Sequence, residues 1–392
     1  MKKIKVLAIA GVFTASLAAA AFAEMADVKV SGEIRVRDII SNNYDFNEDA
    51  NDSNNSISQR TRVNVDATVN ETTKAYISLQ DTRTWGSETN TATTGDDVQA
   101  VDVSQAYIQL DKLAGQPLSL KIGRQALSYG DQRLIGAFEW NNNASRFDAI
   151  KLMYNTDAFG VDLFTAKLDE NGAGSDDGTF NGLYATVKSI PMNVLDLYLL
   201  QKDNNVSGQN MLTYGLRIAG GAMNIDWNAE YAMQGGDANA AQSQDANMFV
   251  LKAGYTLPEV SSLRIGAEYD FASGQESGSS DVTAFDQLYP TNHDKYGVSD
   301  IYNTLSNLSA WSLNVSAKPA EGVKLVAEYW DLSTDEEYAS GEDHLGSEFN
   351  IQAWYALSTN VDLHAYWARF MPDSNIGDDD ADNVTVQLAV KF

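Results

Sequence analysis

From residue 28 onward, apolar and polar positions alternate with period two in one short segment after another, the mark of strands with two unlike faces. In 28–37, Val28, Val30, Ile34 and Val36 share one face, while Lys29, Ser31, Glu33, Arg35 and Arg37 share the other. In 57–69, Val63, Val65, Ala67 and Val69 oppose Arg60, Arg62, Asn64, Asp66 and Thr68. The pattern returns at 74–80, 103–110, 118–123, 147–154, 161–168, 183–188, 195–201 and 212–218. It continues at 225–231, 249–255, 263–270, 311–317, 323–330, 349–357, 361–367 and 384–392. These segments, about 18 in number, come close to the roughly 9–11 residues a tilted strand needs to cross a bilayer.

The connections alternate in length. Short ones at 70–73, 155–160, 189–193, 219–222, 318–322 and 358–360 are interleaved with long ones at 39–56, 85–99, 124–146, 169–181, 232–247, 272–310, 331–348 and 370–383. This layout predicts an all-β fold: a transmembrane antiparallel barrel of about 18 strands, with short periplasmic turns and long extracellular loops. A soluble β-sandwich would alternate in the same way, but three features favour the barrel. The strands are too many for an ordinary sandwich. Aromatics (Tyr231, Tyr255, Tyr269, Tyr329, Tyr355, Trp367) recur near strand ends on the apolar face, where an interfacial girdle belongs. The last segment sets Val384, Val386, Leu388, Val390 and Phe392 on one face, resembling the signature read by the outer-membrane assembly machinery. After residue 23 no stretch of about 18 apolar residues occurs, so no spanning helix is expected.

The first residues read as an export signal: Lys2, Lys3 and Lys5, an apolar run over 6–20, then Ala21-Phe22-Ala23. The expected organisation is a signal peptide over 1–23 and a single barrel domain over 24–392. Composition sharpens this picture. The 392 residues carry 27 Lys+Arg against 54 Asp+Glu and no Cys, a formal charge of −27 that becomes −30 once three signal lysines are removed. Disulfides and thiol chemistry are excluded, and nucleic acid, which favours a basic face, is not an expected partner.

If the apolar face meets lipid and lipopolysaccharide, the other face lines a lumen. Basic residues at inward parity are Arg35, Arg37, Arg60, Arg62, Lys121, Lys167, Lys188, Arg217, Lys252, Arg264 and Lys324; acids there include Glu33, Asp66, Asp226, Glu230, Glu268 and Glu328. Most carboxylates instead crowd the long loops, as at Asp45, Glu48, Asp49 and Asp52, at Asp96 and Asp97, at Asp176 and Asp177, and at Asp378, Asp379 and Asp380. Any single lumen arginine is most simply a salt-bridge partner, whereas Arg35, Arg37, Arg60 and Arg62 cluster on two adjacent strands. Charges lining a constriction select solutes of opposite sign.

The long connection 124–146 stands apart as an Arg- and aromatic-rich stretch in an acidic chain. The run Lys121-Ile122-Gly123-Arg124-Gln125, then Tyr129-Gly130-Asp131-Gln132-Arg133-Leu134-Ile135-Gly136, Trp140-Asn141 and Arg146-Phe147-Asp148-Ala149 resembles the alginate export family of outer-membrane porins. A second match is Phe285-Asp286-Gln287-Leu288-Tyr289-Pro290-Thr291-Asn292-His293, followed by Gly297 and Asp300. The resemblance implies a monomeric 18-stranded barrel that carries an anionic polyuronate through an Arg-rich constriction narrowed by infolded loops. Its motif arginines stand here at Arg124, Arg133 and Arg146, beside Asp131 and Asp148. Planar guanidinium forks suit carboxylates because they pair in two places and stay charged.

Catalysis is not expected. His364, two residues from Asp362, is the best candidate of three histidines, and no signature supplies a nucleophile for it. No cofactor and no His/Cys metal spacing is present. The segment 45–49 begins like a Ca²⁺ loop but has Ala50 and Ser56 where Gly and Glu are required, and reads as a solvated acidic loop with at most weak Ca²⁺ binding; the alternative reading of the chain is a non-transporting outer-membrane surface protein with acidic cation-binding loops.

Overall fold

The computed structural model describes residues 27–48, 52–86, 101–170, 178–337 and 341–392. The export signal over 1–23 lies outside these residues, as do Asp49, Asp96, Asp97, Asp176 and Asp177. Nineteen strands run in chain order. The first nine are β1 (Asp27–Asn42), β2 (Asn54–Asn70), β3 (Thr73–Thr84), β4 (Asp102–Leu110), β5 (Leu118–Gln125), β6 (Phe147–Asn155), β7 (Phe159–Asp169), β8 (Gly178–Val187) and β9 (Asn193–Asn204). Then come β10 (Gln209–Ala222), β11 (Ile225–Asn239), the two-residue β12 (Gln242–Ser243), β13 (Ala246–Leu257) and β14 (Leu263–Ala272). The last are β15 (Leu308–Ala320), β16 (Val323–Ser333), β17 (His344–Ser358), β18 (Val361–Pro372) and β19 (Ala381–Lys391).

Each strand pairs antiparallel with its chain neighbours, and β1 pairs with both β2 and β19, which closes the sheet. β12 only prolongs the β11 hairpin, and β11 pairs directly with β13, so the wall has the expected 18 strands. Closure leaves no exposed strand edge, the condition for placing a sheet in lipid. The closing seam ends with Gly32 N donating to Phe392 O at 2.7 Å and Phe392 N returning to Gly32 O at 3.0 Å. Among the described residues no helix is long and apolar enough to cross a membrane.

The faces divide as the period-two pattern requires. Ile108, Ile122, Ile150, Leu163, Leu251 and Leu313 are among many apolar side chains left open on the outside. In a bilayer these contacts go to acyl chains, so their exposure is the outer wall's function. Tyr231, Tyr255 and Tyr355 stand on the same face. At one short turn, Met223 and Asn224 both adopt positive φ, 50° and 66°, the type I′ geometry that joins antiparallel strands in register.

Several strands run well past their expected ends, because backbone pairing continues above the lipid band. β11 extends to Asn239 and β1 to Asn42. Lys167 is corrected for a different reason: the inner face of β7 carries Phe164 and Ala166, which pack against the infolded loops, so Lys167 pairs across from Asp148 on the outward face, on the parity of Leu163, and not in the lumen. The hydrophobic core also lies inside the barrel. Leu134, Ile135, Phe285 and Leu305, all from long connections, pack with wall residues such as Phe147, Phe164, Phe180 and Leu332. Two connections, 126–146 and 273–307, thus fold into the lumen.

Candidate functional site

The two infolded loops bind each other first. Ile135 and Tyr289 form a parallel bridge, with Tyr289 N donating to Leu134 O at 2.9 Å and Gly136 N to Tyr289 O at 2.8 Å. Thr291 N donates to Gln132 O at 3.0 Å, and the Thr291 hydroxyl accepts from Phe138 N at 2.9 Å. A Cβ on Gly136 would sit inside Thr291, so only glycine permits this approach. The two motif-bearing stretches are therefore physical partners, although they lie more than 150 positions apart.

The first loop then docks on the wall made by β1 and β2. Arg35 donates to Glu139 O at 2.8 Å, Trp140 O at 3.0 Å and Asn142 Oδ1 at 2.7 Å. Arg37 donates to Trp140 O at 2.9 Å and to Gln387 Oε1 of β19 at 2.8 Å. Arg60 reaches Glu139 O at 2.9 Å and Glu33 Oε1 at 2.6 Å. The Glu139 carboxylate takes Arg62 and Arg146, each at 2.5 Å, and Arg60 at 3.3 Å. Burial alone would raise the Glu139 carboxyl, but Arg62 and Arg146 outweigh it and hold it below its ordinary value. Burial lowers the Arg146 guanidinium, with Glu139 only partly offsetting it.

Trp140 locks both loops to this wall. The Arg37 guanidinium lies 3.4 Å from its ring centroid, and the His293 ring is stacked 3.5 Å from it, nearly parallel at 2°. His293 in turn holds Asp300 through Nδ1 at 2.8 Å. The second loop has its own anchor, which sequence reasoning missed. The buried Glu348 carboxylate accepts from Val298 N at 2.6 Å and from the Ser299 hydroxyl, and fills the space where Gly297, at φ 101°, would carry a side chain. The inward parity of Asn350, two residues on, was the signal that could have placed Glu348 in the lumen.

The expected site residues separate into three groups. Arg35, Arg37, Arg60, Arg62 and Arg146 converge around Glu33 and Glu139, where five guanidiniums meet two carboxylates. Lys121 stands over the Tyr107 ring at 4.3 Å, and Arg264 holds Asp226 at 2.7 Å and Asn314 at 2.7 Å, so both serve the lumen wall elsewhere. The others need correction as pore-lining residues. Arg133 has no accessible side chain: it is enclosed by Asp270 at 2.8 Å, Glu268, and Asp131 at 3.5 Å. Asp131 is drawn well below the usual carboxylate range, its burial outweighed by Arg133 and Lys252, and Lys252 lies 3.3 Å from it. Arg124 and Asp148 form an ion pair at 3.4 Å on the face shared with Ile122 and Ile150, pointing away from the lumen. The cause is that β5 runs two residues past Gly123, so strand parity sets the direction of Arg124.

On one side of the docked loops lies a cavity of about 620 Å³, lined by Arg35, Arg60, Trp354, Tyr355, His364 and Gln387 among others. His364 stacks on Trp354 at 4.4 Å, while Asp362 turns to Lys391 at 3.5 Å, so the Asp–His pair suggested by spacing is not formed. Asp52 closes the acidic loop after β1 by accepting from Asn43 N at 2.7 Å and from Tyr44 N. Among the described residues, no group of three or more His, Cys, Asp or Glu is placed to hold a metal ion.

No curated protein matches the sequence. Solved structures do match the fold. The outer membrane protein OprD from Pseudomonas aeruginosa is 11% identical with a TM-score of 0.67, covering 94% of this chain and 94% of that one. OpdO of the same organism is 14% identical with a TM-score of 0.67, over 93% of this chain and 97% of that one. Acinetobacter baumannii OccAB1 is 11% identical with a TM-score of 0.65, over 95% and 97%. At such identities the likeness establishes the barrel alone. The family described as Alginate export matches residues 27–378, which contain both interlocked loops and the wall that seats them. The chain belongs to the Alginate export family and is a porin-type β-barrel of the bacterial outer membrane.

Proposed function

We propose that the protein is a channel that passes anionic or sugar-like solutes across the outer membrane as a monomer, through a constriction made by the two infolded loops and the arginines of β1 and β2. The observation that carries this is the charge balance where the first loop docks. Among the described residues, the ion pairs of Arg35, Arg37, Arg60, Arg62 and Arg146 are made with Glu33 and Glu139 alone, five guanidiniums to two carboxylates, with Asp300 a further acid acting on Arg37. Arg35 and Arg60 also line the adjoining cavity, together with Lys391 and the acids Glu33, Glu139, Asp294 and Asp362, so the surplus belongs to the docking seat and not to the cavity as a whole. A surplus charge in a narrow, low-dielectric passage draws counter-charged solutes and repels like-charged ones. The guanidiniums are held by backbone carbonyls, which fix their positions without neutralising them.

Membership in a family described by alginate export supports an anionic polyuronate as one solute of this class. The acidic extracellular loops oppose a polyanion at the outer mouth, so the proposal rests on the constriction. Lipid and lipopolysaccharide would cover the apolar outer face, and the outer-membrane assembly machinery would insert it. No catalytic role is assigned to the lumen.

Recording in planar bilayers tests the function. The folded protein should give discrete conductance steps, and a KCl gradient should give a reversal potential of the anion-preferring sign. Polyuronate added to one side should then reduce the current. Cation preference would overturn the role of the arginine cluster, and absence of conductance from demonstrably folded barrels would overturn transport itself.

A further inference from the structure

The extracellular end of the outer wall carries outward aromatic side chains from β13 to β18. They touch across strands, Phe249 with Tyr269 at 5.5 Å, Trp311 with Tyr329 at 5.6 Å and Phe349 with Trp367 at 6.2 Å between ring centroids. At the same end of β8, β9 and β10 the girdle gives way to amides. Asn181, Gln201 and Asn210 lie on the outward parity of Leu183, Leu199 and Leu212, all three of which are exposed. Asn181 Nδ2 donates to Thr179 Oγ1 at 3.2 Å and to Gln201 Oε1 at 3.3 Å, and Gln201 Nε2 donates to Asn210 Oδ1 at 2.8 Å. The row leaves an acceptor at one end, Asn181 Oδ1, and a donor at the other, Asn210 Nδ2. Polar atoms at the edge of hydrocarbon are costly unless something pairs with them.

Next to this row, toward the bilayer centre, a groove of about 540 Å³ crosses four strands of the outer face. Leu183 and Ala185 of β8, Leu199 of β9, Tyr214 of β10 and Tyr231 of β11 are among its lining. Register aligns the two features. Asn181 pairs across to Gln201, and one outward level below it Leu183 pairs to Leu199 and Leu199 to Tyr214. Strands about 4.8 Å apart make the groove roughly 14 Å long. The charges nearby are mixed. Asp203 and Asp237 stand in register on either side of Asn210, and Lys167, opposite Thr179 on β7, is paired with Glu170 at 2.6 Å.

We propose that the groove and the amide row form a retained site for one lipopolysaccharide molecule of the outer leaflet, with an acyl chain in the groove and its linkage groups on the amides. The occupant follows from position and chemistry. The outer wall faces lipid, and the amides stand at the extracellular end of the groove. A free acceptor beside a free donor fits lipid A, whose acyl linkages offer N–H and O–H donors as well as carbonyls; glycerophospholipid esters only accept. Asp203 and Asp237 add negative charge at headgroup level, so the lipid's phosphates require a bridging divalent cation there. The site rests on the outer-membrane location of the barrel and is independent of the transport proposal.

The test incubates the folded barrel in detergent and Mg²⁺ with lipid A or with phosphatidylethanolamine, removes free lipid by gel filtration, and counts bound lipid by native mass spectrometry. Wild type should carry one lipid A and about tenfold less phosphatidylethanolamine, a difference of about 1.4 kcal/mol. Ala185→Phe, which fills the groove, and Asn181→Leu/Gln201→Leu, which makes the row apolar, should each lower lipid A retention about tenfold. Leu313→Phe, on the outer face of β15, should retain lipid A as wild type does. Heat-modifiable gel migration establishes that each variant is folded. A wild type that keeps no lipid A, or keeps both lipids equally, overturns the site and leaves annular lipid only. Unchanged retention in both groove and row variants, or an equal loss in Leu313→Phe, overturns it as well.

Discussion

Replacing Glu139 by Ala removes the one carboxylate of the first loop that sits among the wall arginines. Three ion pairs are lost, to Arg62 and Arg146 at 2.5 Å and to Arg60 at 3.3 Å. The Glu139 side chain is 49% exposed, so each pair is discounted for solvent screening to about 1 kcal/mol or less, giving roughly 2–3 kcal/mol in total. At 1.4 kcal/mol per tenfold, the undocked population of the loop should rise roughly 30- to 150-fold. The loop should nevertheless remain mostly seated. Five hydrogen bonds from Arg35, Arg37 and Arg60 to the backbone carbonyls of Glu139, Trp140 and Asn141 do not involve the lost side chain. The expected phenotype is rapid flicker on an open channel of near-normal mean conductance, with faster hydrogen exchange confined to 126–146. Losing a negative charge should also increase anion preference. Exchange in 126–146 no faster than wild type, together with unchanged current noise, would refute the claim that Glu139 is a clamp.

Three further outcomes follow from the same geometry. Gly136→Ala puts a methyl group against Thr291; overpacking of about 1–3 kcal/mol should part the loops and raise single-channel conductance, whereas unchanged conductance would mean that the bridge does not narrow the passage. Arg133→Met leaves the buried Asp270 without its cation and Glu268 with Lys252 alone, and should destabilise the barrel by about 3–5 kcal/mol in denaturant titrations in detergent, while Arg124→Ala, which removes an outward ion pair, should alter stability by less than about 1 kcal/mol and selectivity not at all. Because the folded Glu139 carboxyl is held below its ordinary value, its contribution to docking is complete above the unfolded value of about 4.3 and fades as pH falls through the lower folded value; loop exchange rates should therefore be flat from pH 8 to 5 and rise only in stronger acid.

The wall was largely legible in the chain because a strand in a membrane barrel has only two environments, and residues such as Ile34 and Arg35 report them directly. Parity failed where the expected segment ended too early. Arg124 was read as the first residue of a loop, but β5 carries it through to Gln125 and turns it outward. Lys167 failed for another reason: the lumen face of β7 is apolar at Phe164 and Ala166 where the infolded loops pack on it, so polarity no longer marked the inward parity. The lumen was legible only in its wall. Glu268 was correctly placed inside by alternation, yet nothing local shows that it receives Arg133, which is 135 positions away. The same holds for Trp140 and His293, since stacking between two irregular loops leaves no period in the sequence. Motif resemblance brought these two stretches to notice without revealing that they bind each other.

The seat of the first loop straddles the barrel's closing seam. Arg35 and Arg37 belong to β1, Gln387 to β19, and Arg37 joins the two while holding Trp140. Until the first and last strands meet, Arg37 lacks its Gln387 partner, and the seat built by β1 and β2 is without its tie to β19. Under the proposed function, closure and selectivity would thus be linked: the guanidinium that holds Trp140 is fixed in place by the last strand to join the wall.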